Sequence, residues 1–181
     1  SPLVSTPYTV TVTDSTGCKS QAIVYVLIHD KQIISAGSDT AVCLGSSVQL
    51  QASGRGIFQW SPTAGLNNPT IANPIATPTI TTSYHLIVID SNGCMAEDSV
   101  NVSIYPMPSV SVSTSDTTIC DGGSIVVSAT GNSGAAPYTY IWSPSTGVSD
   151  VKAQSPVFSP KATAIYTVTV IDANGCMANS S

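Results

Sequence analysis

The chain has 181 residues, a formal net charge of −5 and only 8% charged residues, about a third of the usual share. An acidic chain of this kind lacks the basic patch that nucleic acid and anionic membrane surfaces require, and no apolar run approaches the roughly 20 residues of a membrane span. We therefore expect neither nucleic-acid binding nor membrane insertion in this segment.

The first predicted elements are two strands joined by a turn. An alternating run, "YTVTV" (8–12), is followed by "DSTGC" (14–18) and then by "SQAIVYVLI" (20–28). Alternation with a period of two is typical of half-buried antiparallel strands. On this pattern one face of the second strand points inward, and it carries Val24, Val26 and Ile28.

The next stretch carries further alternating strands around a tryptophan. In "SDTAVCLGSSVQLQA" (38–52), Val48, Leu50 and Ala52 alternate with polar residues. Trp60 opens "WSPTAGL" and is expected to lie in the core. A strand with Tyr84, Leu86 and Val88 pointing inward then leads to "DSNGC" and to a last alternating strand.

The same order of motifs then starts again. "SDTTICDGGSIVVSA" (115–129) repeats the opening motif 77 residues further on, whereas "WSPSTGV" (142–148), with Trp142, and "YTVTVIDANGC" (166–176) repeat the later motifs 82 residues further on. A repeat of this length fits a string of small domains better than a solenoid coil. We predict a truncated unit, R1 (1–29), a complete unit, R2 (30–105), and a unit without its last strand, R3 (106–181).

The repeat content predicts the fold class. Gly and Pro clusters interrupt the chain every 8 to 12 residues or so, and no stretch shows a capped helical period. About seven short strands per unit are typical of a two-sheet immunoglobulin-like sandwich. We expect an all-β chain of tandem immunoglobulin-like domains, cut from a longer repetitive protein.

The recurring phrase "D-x-x-G-C" is explained by turn chemistry. Asn and Gly tolerate the left-handed backbone of tight hairpins, and Asp90 can accept hydrogen bonds from backbone N–H groups just ahead of it. A calcium site is the sharper alternative, because Asp-rich turns bind calcium in extracellular domains. Each turn offers one carboxylate, however, so we predict no metal site and no cofactor.

The five cysteines fall into two repeat positions. Cys43 and Cys120 are opening cysteines, near the start of a unit; the closing cysteines, at the end of the turn phrase, are Cys18, Cys94 and Cys176. One of each type per unit predicts the disulfides Cys43–Cys94 and Cys120–Cys176, with Cys18 unpaired in this segment. Disulfides imply an oxidising, extracellular compartment. Free buried thiols are the alternative, whereas no cysteine pair has the spacing of zinc ligands.

The quoted motifs resemble a known family. "SDTAVCLGSSVQLQASG", "WSPTAGLNNPTIANPIATPT" and "YHLIVIDSNGCMAEDSVNVSI" look like the immunoglobulin-like and PKD-like repeats of Bacteroidota cell-surface adhesins, such as the SprB-like adhesins of gliding motility. The resemblance covers nearly the whole chain. It implies export by the type IX secretion route and display on the cell surface, often as filaments.

The resemblance also implies a modification. The O-glycosylation acceptor of that lineage resembles Asp, then Ser or Thr, then an apolar residue or Thr. Four triplets of this chain fit it, and their candidate acceptors are Ser15, Thr40, Ser99 and Thr117. A chain rich in Ser and Thr also produces such triplets by chance, so both interpretations stay open.

Two classes of function remain after an enzyme is set aside. The chain has two histidines, one glutamate and no Gly-x-Ser-x-Gly motif, so we predict no catalytic residues. The favoured class is structural, with units as beads of a stalk, adhesin or filament. The alternative is a glycan-binding accessory module of a secreted polysaccharide-degrading protein, for which Tyr138 and Tyr140 are the only aromatic pair near a loop.

Two further features concern assembly. The linkers at 29–33 and 105–110 are short, and the second contains two prolines, so we expect a nearly fixed angle between units. Two strands break the rule that outward positions are polar, and their outward apolar residues are Ile23, Tyr25, Leu27, Ile87 and Ile89. Such a surface needs a cover. Cover by the same unit or its neighbour is one explanation, and contact with an identical chain in a filament is the other.

Overall fold

The structure, a computed structural model, describes residues 2–181, and within that range it consists of fifteen β-strands with no helix. The predicted all-β fold is confirmed. The strands are β1 (Thr6–Thr13), β2 (Lys19–Val26), β3 (Thr40–Cys43), β4 (Val48–Gln49), β5 (Ile57–Ser61), β6 (Ile75–Ala76), β7 (Thr82–Ile89), β8 (Met95–Tyr105), β9 (Ser109–Val112), β10 (Ile125–Val126), β11 (Ala129–Asn132), β12 (Thr139–Ser143), β13 (Val157–Phe158), β14 (Thr167–Ile171) and β15 (Met177–Ser180).

The first hydrophobic core lies between one four-stranded sheet and one two-stranded sheet. The larger sheet has the order β3-β8-β7-β5, in which β3 is parallel to β8 and the other neighbours are antiparallel, and the smaller sheet pairs β4 with β6. Tyr84, Leu86 and Val88 are completely buried, as the alternation predicted. Leu50, which directly follows β4 of the smaller sheet, belongs to the same buried cluster.

The second hydrophobic core repeats this arrangement further along the chain. Its sheets are β12-β14-β15, β9-β11 and β10-β13. Trp142 is buried and its indole N–H donates to the carbonyl of Ala153 at 3.0 Å, just as Trp60 in the first core donates to the carbonyl of Ile71 at 3.0 Å. Both tryptophans therefore lie in the core, as predicted, and each holds the loop that follows its strand.

The two cores use separate parts of the chain. Members of the first core lie between residues 34 and 102, and members of the second lie between residues 110 and 170. No residue of either core comes from the segment before residue 34. The unit boundaries at 29/30 and 105/106 remain a prediction.

Strands β1 and β2 form a hairpin whose expected inward face is exposed. Tyr8 pairs with Val24 and Thr6 with Val26, and Tyr8 and Val24 are 47% and 60% exposed. The prediction that Val24, Val26 and Ile28 point into a core is therefore wrong for this chain. The physical reason is that burial of a strand face requires a second layer, and no second sheet covers this hairpin in residues 2–181.

Candidate functional site at the bridged junction

One disulfide connects the first core to the second. It joins Cys43, at the end of β3, to Cys176, just before β15, with a Cα–Cα distance of 5.6 Å and 133 residues between them in sequence. Cys18, Cys94 and Cys120 are free. The predicted pairs Cys43–Cys94 and Cys120–Cys176 are therefore wrong, although both cysteines of the real bridge belong to the predicted set.

The parallel register of β3 and β8 explains why Cys43 cannot reach Cys94. Cys43 lies beside Tyr105, the last residue of β8, while Cys94 comes directly before Met95, the first residue of β8. A strand rises about 3.3 Å per residue, so the length of β8 separates the two cysteines by roughly 30 Å or more. A disulfide needs Cα atoms within about 7 Å of each other. The opening and closing cysteines of R2 thus lie at opposite ends of its core.

The path of the chain after β8 explains why Cys43 meets Cys176. Three residues separate Tyr105 from Ser109, where β9 begins. In this stretch Pro108 is buried next to Gly134: a Cβ on Gly134 would lie 3.2 Å from Pro108 and 2.6 Å from the Asp172 carboxylate. The turn that starts at Asp172 therefore sits at the end of the second core where the chain enters. That end adjoins the end of β8, where Cys43 lies.

An aspartate holds the turn that presents Cys176. One carboxylate oxygen of Asp172, Oδ1, accepts hydrogen bonds from the backbone N–H groups of Asn174 and Cys176, both at 2.9 Å. The other oxygen accepts from the N–H of Ala135 at 3.0 Å. Burial by itself raises the pKa of Asp172, but these N–H donors outweigh it and the pKa lies below its usual value. The carboxylate thus stays charged and keeps the cysteine in a fixed position.

The corresponding turn in R2 confirms the role predicted for Asp90. Its Oδ1 accepts from the N–H groups of Asn92 at 2.8 Å and Cys94 at 2.9 Å. In each of these turns the aspartate carboxylate accepts hydrogen bonds from backbone N–H groups. Within residues 2–181, no group of three or more His, Cys, Asp or Glu side chains is arranged to hold a metal ion.

The candidate glycosylation residues lie in different surroundings. Thr40 is half-buried in β3, and the preceding Asp39 accepts hydrogen bonds from the backbone N–H of Asn101 at 2.8 Å and from its side chain at 3.3 Å. These bonds lower the pKa of Asp39. The other three candidate acceptors are exposed: Ser15, Ser99 and Thr117.

The predicted contact residues fall on two separate surfaces. On the hairpin, the side chains of Ile23, Tyr25 and Leu27 are 58%, 68% and 65% exposed. Within residues 2–181 nothing covers these three side chains, and both explanations of their cover remain predictions. On the first core, Ile87 and Ile89 are only half-buried.

The register of β5, β7 and β8 adds two residues to the second surface, and neither residue was predicted from the sequence. Ile57 on β5 and Met95 on β8 both pair with Ile89, one on each side, and are 62% and 59% exposed. Cross-strand neighbours of this kind share a sheet face. No single-strand pattern identifies such a patch, because its members come from three strands.

The remaining polar and aromatic candidates are occupied by local contacts. His85 Nε2 lies 3.5 Å from Glu97 Oε2, and both side chains are largely exposed on the sheet face. The hydroxyl of Tyr140 accepts from the N–H of Gly131 at 3.3 Å, and the hydroxyl of Tyr138 donates to the carbonyl of Ser133. These tyrosines hold the loop rather than offering a free aromatic platform for a sugar. None of the described segments forms a helix that could cross a membrane.

Comparison with known proteins identifies the fold. No known family profile matches the chain, and neither does any curated protein. Among solved structures, this chain is similar to the eight N-terminal Ig domains of Down Syndrome Cell Adhesion Molecule (DSCAM) isoform 1.30.30. The match covers 97% of this chain and 30% of the DSCAM chain, with 12% sequence identity and a TM-score of 0.53. A C-terminal fragment of intimin, solved with the intimin-binding domain of its translocated receptor, matches 84% of this chain over 63% of its own, with 17% identity and a TM-score of 0.49.

The DSCAM match shows an immunoglobulin-like fold. The chain spans less than two thirds of either matched structure. At such low identity the likeness concerns the fold alone.

Proposed function

We propose that this chain is a structural segment of a long extracellular adhesin or filament, in which immunoglobulin-like units act as stiff links. The observation that carries the proposal is the disulfide between Cys43 and Cys176, which joins the end of one core to the beginning of the next. A module that acts alone has no need of a covalent tie to its neighbour. A stalk that must transmit force or keep its direction does.

The junction has two covalent connections, which together limit its motion. The first is the backbone between Tyr105 and Ser109, where Pro106 and Pro108 restrict the chain. The second is the bridge. A single short linker allows two bodies to rotate about it, whereas two attachments at different points leave little freedom. The bridge also supports an oxidising, extracellular location, because structural disulfides persist there.

The finer part of the proposal, export and location, rests on the resemblance of these repeats to those of Bacteroidota adhesins. Repeats like those of Bacteroidota adhesins support type IX export, a cell-surface location and a part in adhesion or gliding. O-linked glycans on Ser15, Ser99 and Thr117 suit a weakly charged surface that has to stay soluble. The test of this last point is intact mass spectrometry of protein from its natural source, where a mass equal to the bare polypeptide excludes glycans.

The exposed hairpin face supports a second element of the proposal, lateral contact between identical chains. Ile23, Tyr25 and Leu27 form an apolar row on β2 and just after it, and such a row is a docking surface or an aggregation hazard. We expect concentration-dependent association in sedimentation velocity. The double variant Tyr25→Lys with Ile87→Lys should remain monomeric.

The control for this experiment adds the same charge elsewhere. Ser20 and Gln51 are exposed and polar, so Ser20→Lys with Gln51→Lys changes the net charge equally without touching the apolar row. If the first double variant associated as the unaltered chain does, or if the control lost association as well, lateral contact through these residues would be ruled out.

The stalk proposal itself is tested by small-angle X-ray scattering. We expect the oxidised chain to scatter as one elongated body with a fixed angle between the two cores. The double variant Cys43→Ser with Cys176→Ser should require an ensemble with several interdomain angles. Cys120→Ser, which removes a free cysteine of the same repeat position, is the matched control. Equal flexibility of the bridged and unbridged chains would remove the support for a stiff link.

A further inference from the structure

The free closing cysteines are held in the same way as the bridged one. In the first turn, Asp14 Oδ1 accepts from the N–H groups of Thr16 and Cys18, both at 2.9 Å. The Asp90 turn gives 2.9 Å for Cys94, and the bridged Cys176 also has 2.9 Å. The N–H of each aspartate donates back to the carbonyl of its cysteine at 3.0 Å in all three turns. All three closing turns thus hold their cysteine in the same geometry, but of these cysteines only Cys176 forms a disulfide.

The free opening cysteine is also presented like its bridged counterpart. The carbonyl of Cys43 accepts from the N–H of Ser46 at 2.9 Å, with Gly45 in the left-handed region at a φ of 85°. The carbonyl of Cys120 accepts from the N–H of Gly123 at 2.8 Å, with Gly122 at a φ of 72°. Both cysteines therefore open a tight turn of the same kind.

Burial differs between the bridged and the free cysteines in a consistent direction. Cys176 is 1% exposed, whereas Cys94 is half-buried and Cys18 is exposed. Among the opening cysteines, the bridged Cys43 is half-buried and the free Cys120 is exposed. The bridged junction thus buries Cys176 completely, the free Cys18 and Cys120 are exposed, and the free Cys94 is half-buried like the bridged Cys43.

We propose that Cys18, Cys94 and Cys120 are half-sites of the same bridge, each for an adjoining repeat. Cys120 bonds to the closing cysteine of a repeat that follows R3. Cys94 and Cys18 bond to the opening cysteines of the repeats before their own. The result is a ladder with one disulfide at every junction, so that no repeat carries a bridge within itself.

The proposal depends on the proposed function in one respect: repeats of this kind must follow one another directly along the chain. The reaction is an ordinary thiol–disulfide exchange with a disulfide oxidant such as oxidised glutathione. Two thiols lose two protons and two electrons to form the protein disulfide. The oxidant accepts them and leaves as two glutathione thiols.

The first experiment supplies Cys120 with a following repeat. Ser181 occupies the repeat position of Ser99, so adding a copy of residues 100–181 after Ser181 completes the last strand of R3 and appends one more unit. The copy carries Met177→Leu as a mass label at an exposed position. After refolding with oxidised and reduced glutathione, we expect a non-reduced peptide map to link Cys120 to the copied Cys176. In a matched control with Cys176→Ser in the copy alone, iodoacetamide should label Cys120.

The second experiment tests the opposite end of the chain. The position of Ser1 matches that of Thr77, so a copy of residues 1–76 placed before Ser1 completes R1 and gives it an opening cysteine, the copied Cys43. We expect this cysteine to bond to Cys94. Because the added segments differ, a failure to fold in one extended chain leaves the other as the test.

Folding is checked by calorimetry and circular dichroism before the maps are interpreted. Cys120 or Cys94 that stays open to alkylation in a folded extended chain overturns the proposal. A bond within one unit, or one between two separate chains, overturns it as well. A stiff rod that lacks these added bridges would leave the stalk function standing and remove the ladder alone, so the two failures are distinguishable.

Discussion

Removing the bridge between the cores should destabilise the second core while leaving its own contacts intact. When the second core unfolds and the first stays folded, the bridge closes the chain between Tyr105 and Cys176 into a loop. For a closed loop of about 70 residues, the chain-entropy relation gives roughly 4 kcal/mol at 25 °C. The variant Cys43→Ser with Cys176→Ser should therefore lower the unfolding free energy of the second core by about 3–4 kcal/mol.

Differential scanning calorimetry provides the measurement. A change of 1 kcal/mol shifts the Tm of a domain of 60–100 residues by about 4–8 °C, so the transition of the second core should fall by about 12 °C or more. The first core should change in the same direction, since its own unfolding is also restricted by the bridge. Cys120→Ser serves as the control, because this cysteine is exposed and free, and it should leave both transitions in place.

Two results would refute this reasoning. A Tm unchanged to within a few degrees would mean that the bridge does not restrict the unfolded chain of the second core. An equal loss in Cys120→Ser would mean that serine at this repeat position is harmful by itself, independently of any disulfide. Adding a reducing agent to the unaltered chain should reproduce the double variant, which separates loss of the bond from loss of the cysteine side chains.

Two further predictions concern stability: one tests the core, and the other tests the dependence on pH. Leu86→Ala deletes a completely buried side chain and should lower the unfolding free energy, measured by urea unfolding, by about 2–5 kcal/mol. Val12→Ala on the exposed hairpin should lower it by less than about 0.5 kcal/mol. Equal losses in the two variants would contradict the assignment of the core. Hydrogen bonds from backbone N–H groups lower the pKa of Asp98 and Asp39 below 3.8, and those on Asp172 outweigh its burial to the same net effect. Because the pKa of each of these aspartates is lower in the folded state, their stabilisation is present above pH 3.8 and is lost as the pH falls below it. Urea unfolding should therefore show a stability that declines below pH 3.8, and Asp98→Asn should reduce this decline. A stability that stays constant down to about pH 2 would contradict the prediction.

Local sequence determined the elements and the turns of this protein. Alternation gave the buried faces of β7 and β8, because side chains on a strand point to opposite sides whatever surrounds it. The aspartate of each closing turn was also predictable, since its hydrogen bonds reach only two to four residues ahead. Trp60 and Trp142 were assigned to the core because they repeat in one register with their strands.

Tertiary structure alone decided which strand faces are covered and which cysteines meet. Alternation predicted an inward face for the hairpin, but Val24 remains exposed because a face becomes a core only where a second layer packs on it. The repeat phase sorted the cysteines correctly and still gave the wrong pairs. The parallel register of β3 on β8 places Cys43 at one end of its core and Cys94 at the other, and the short linker brings Cys176 to Cys43 instead. A disulfide depends on distance in space, and here the register of a non-local strand pair sets that distance.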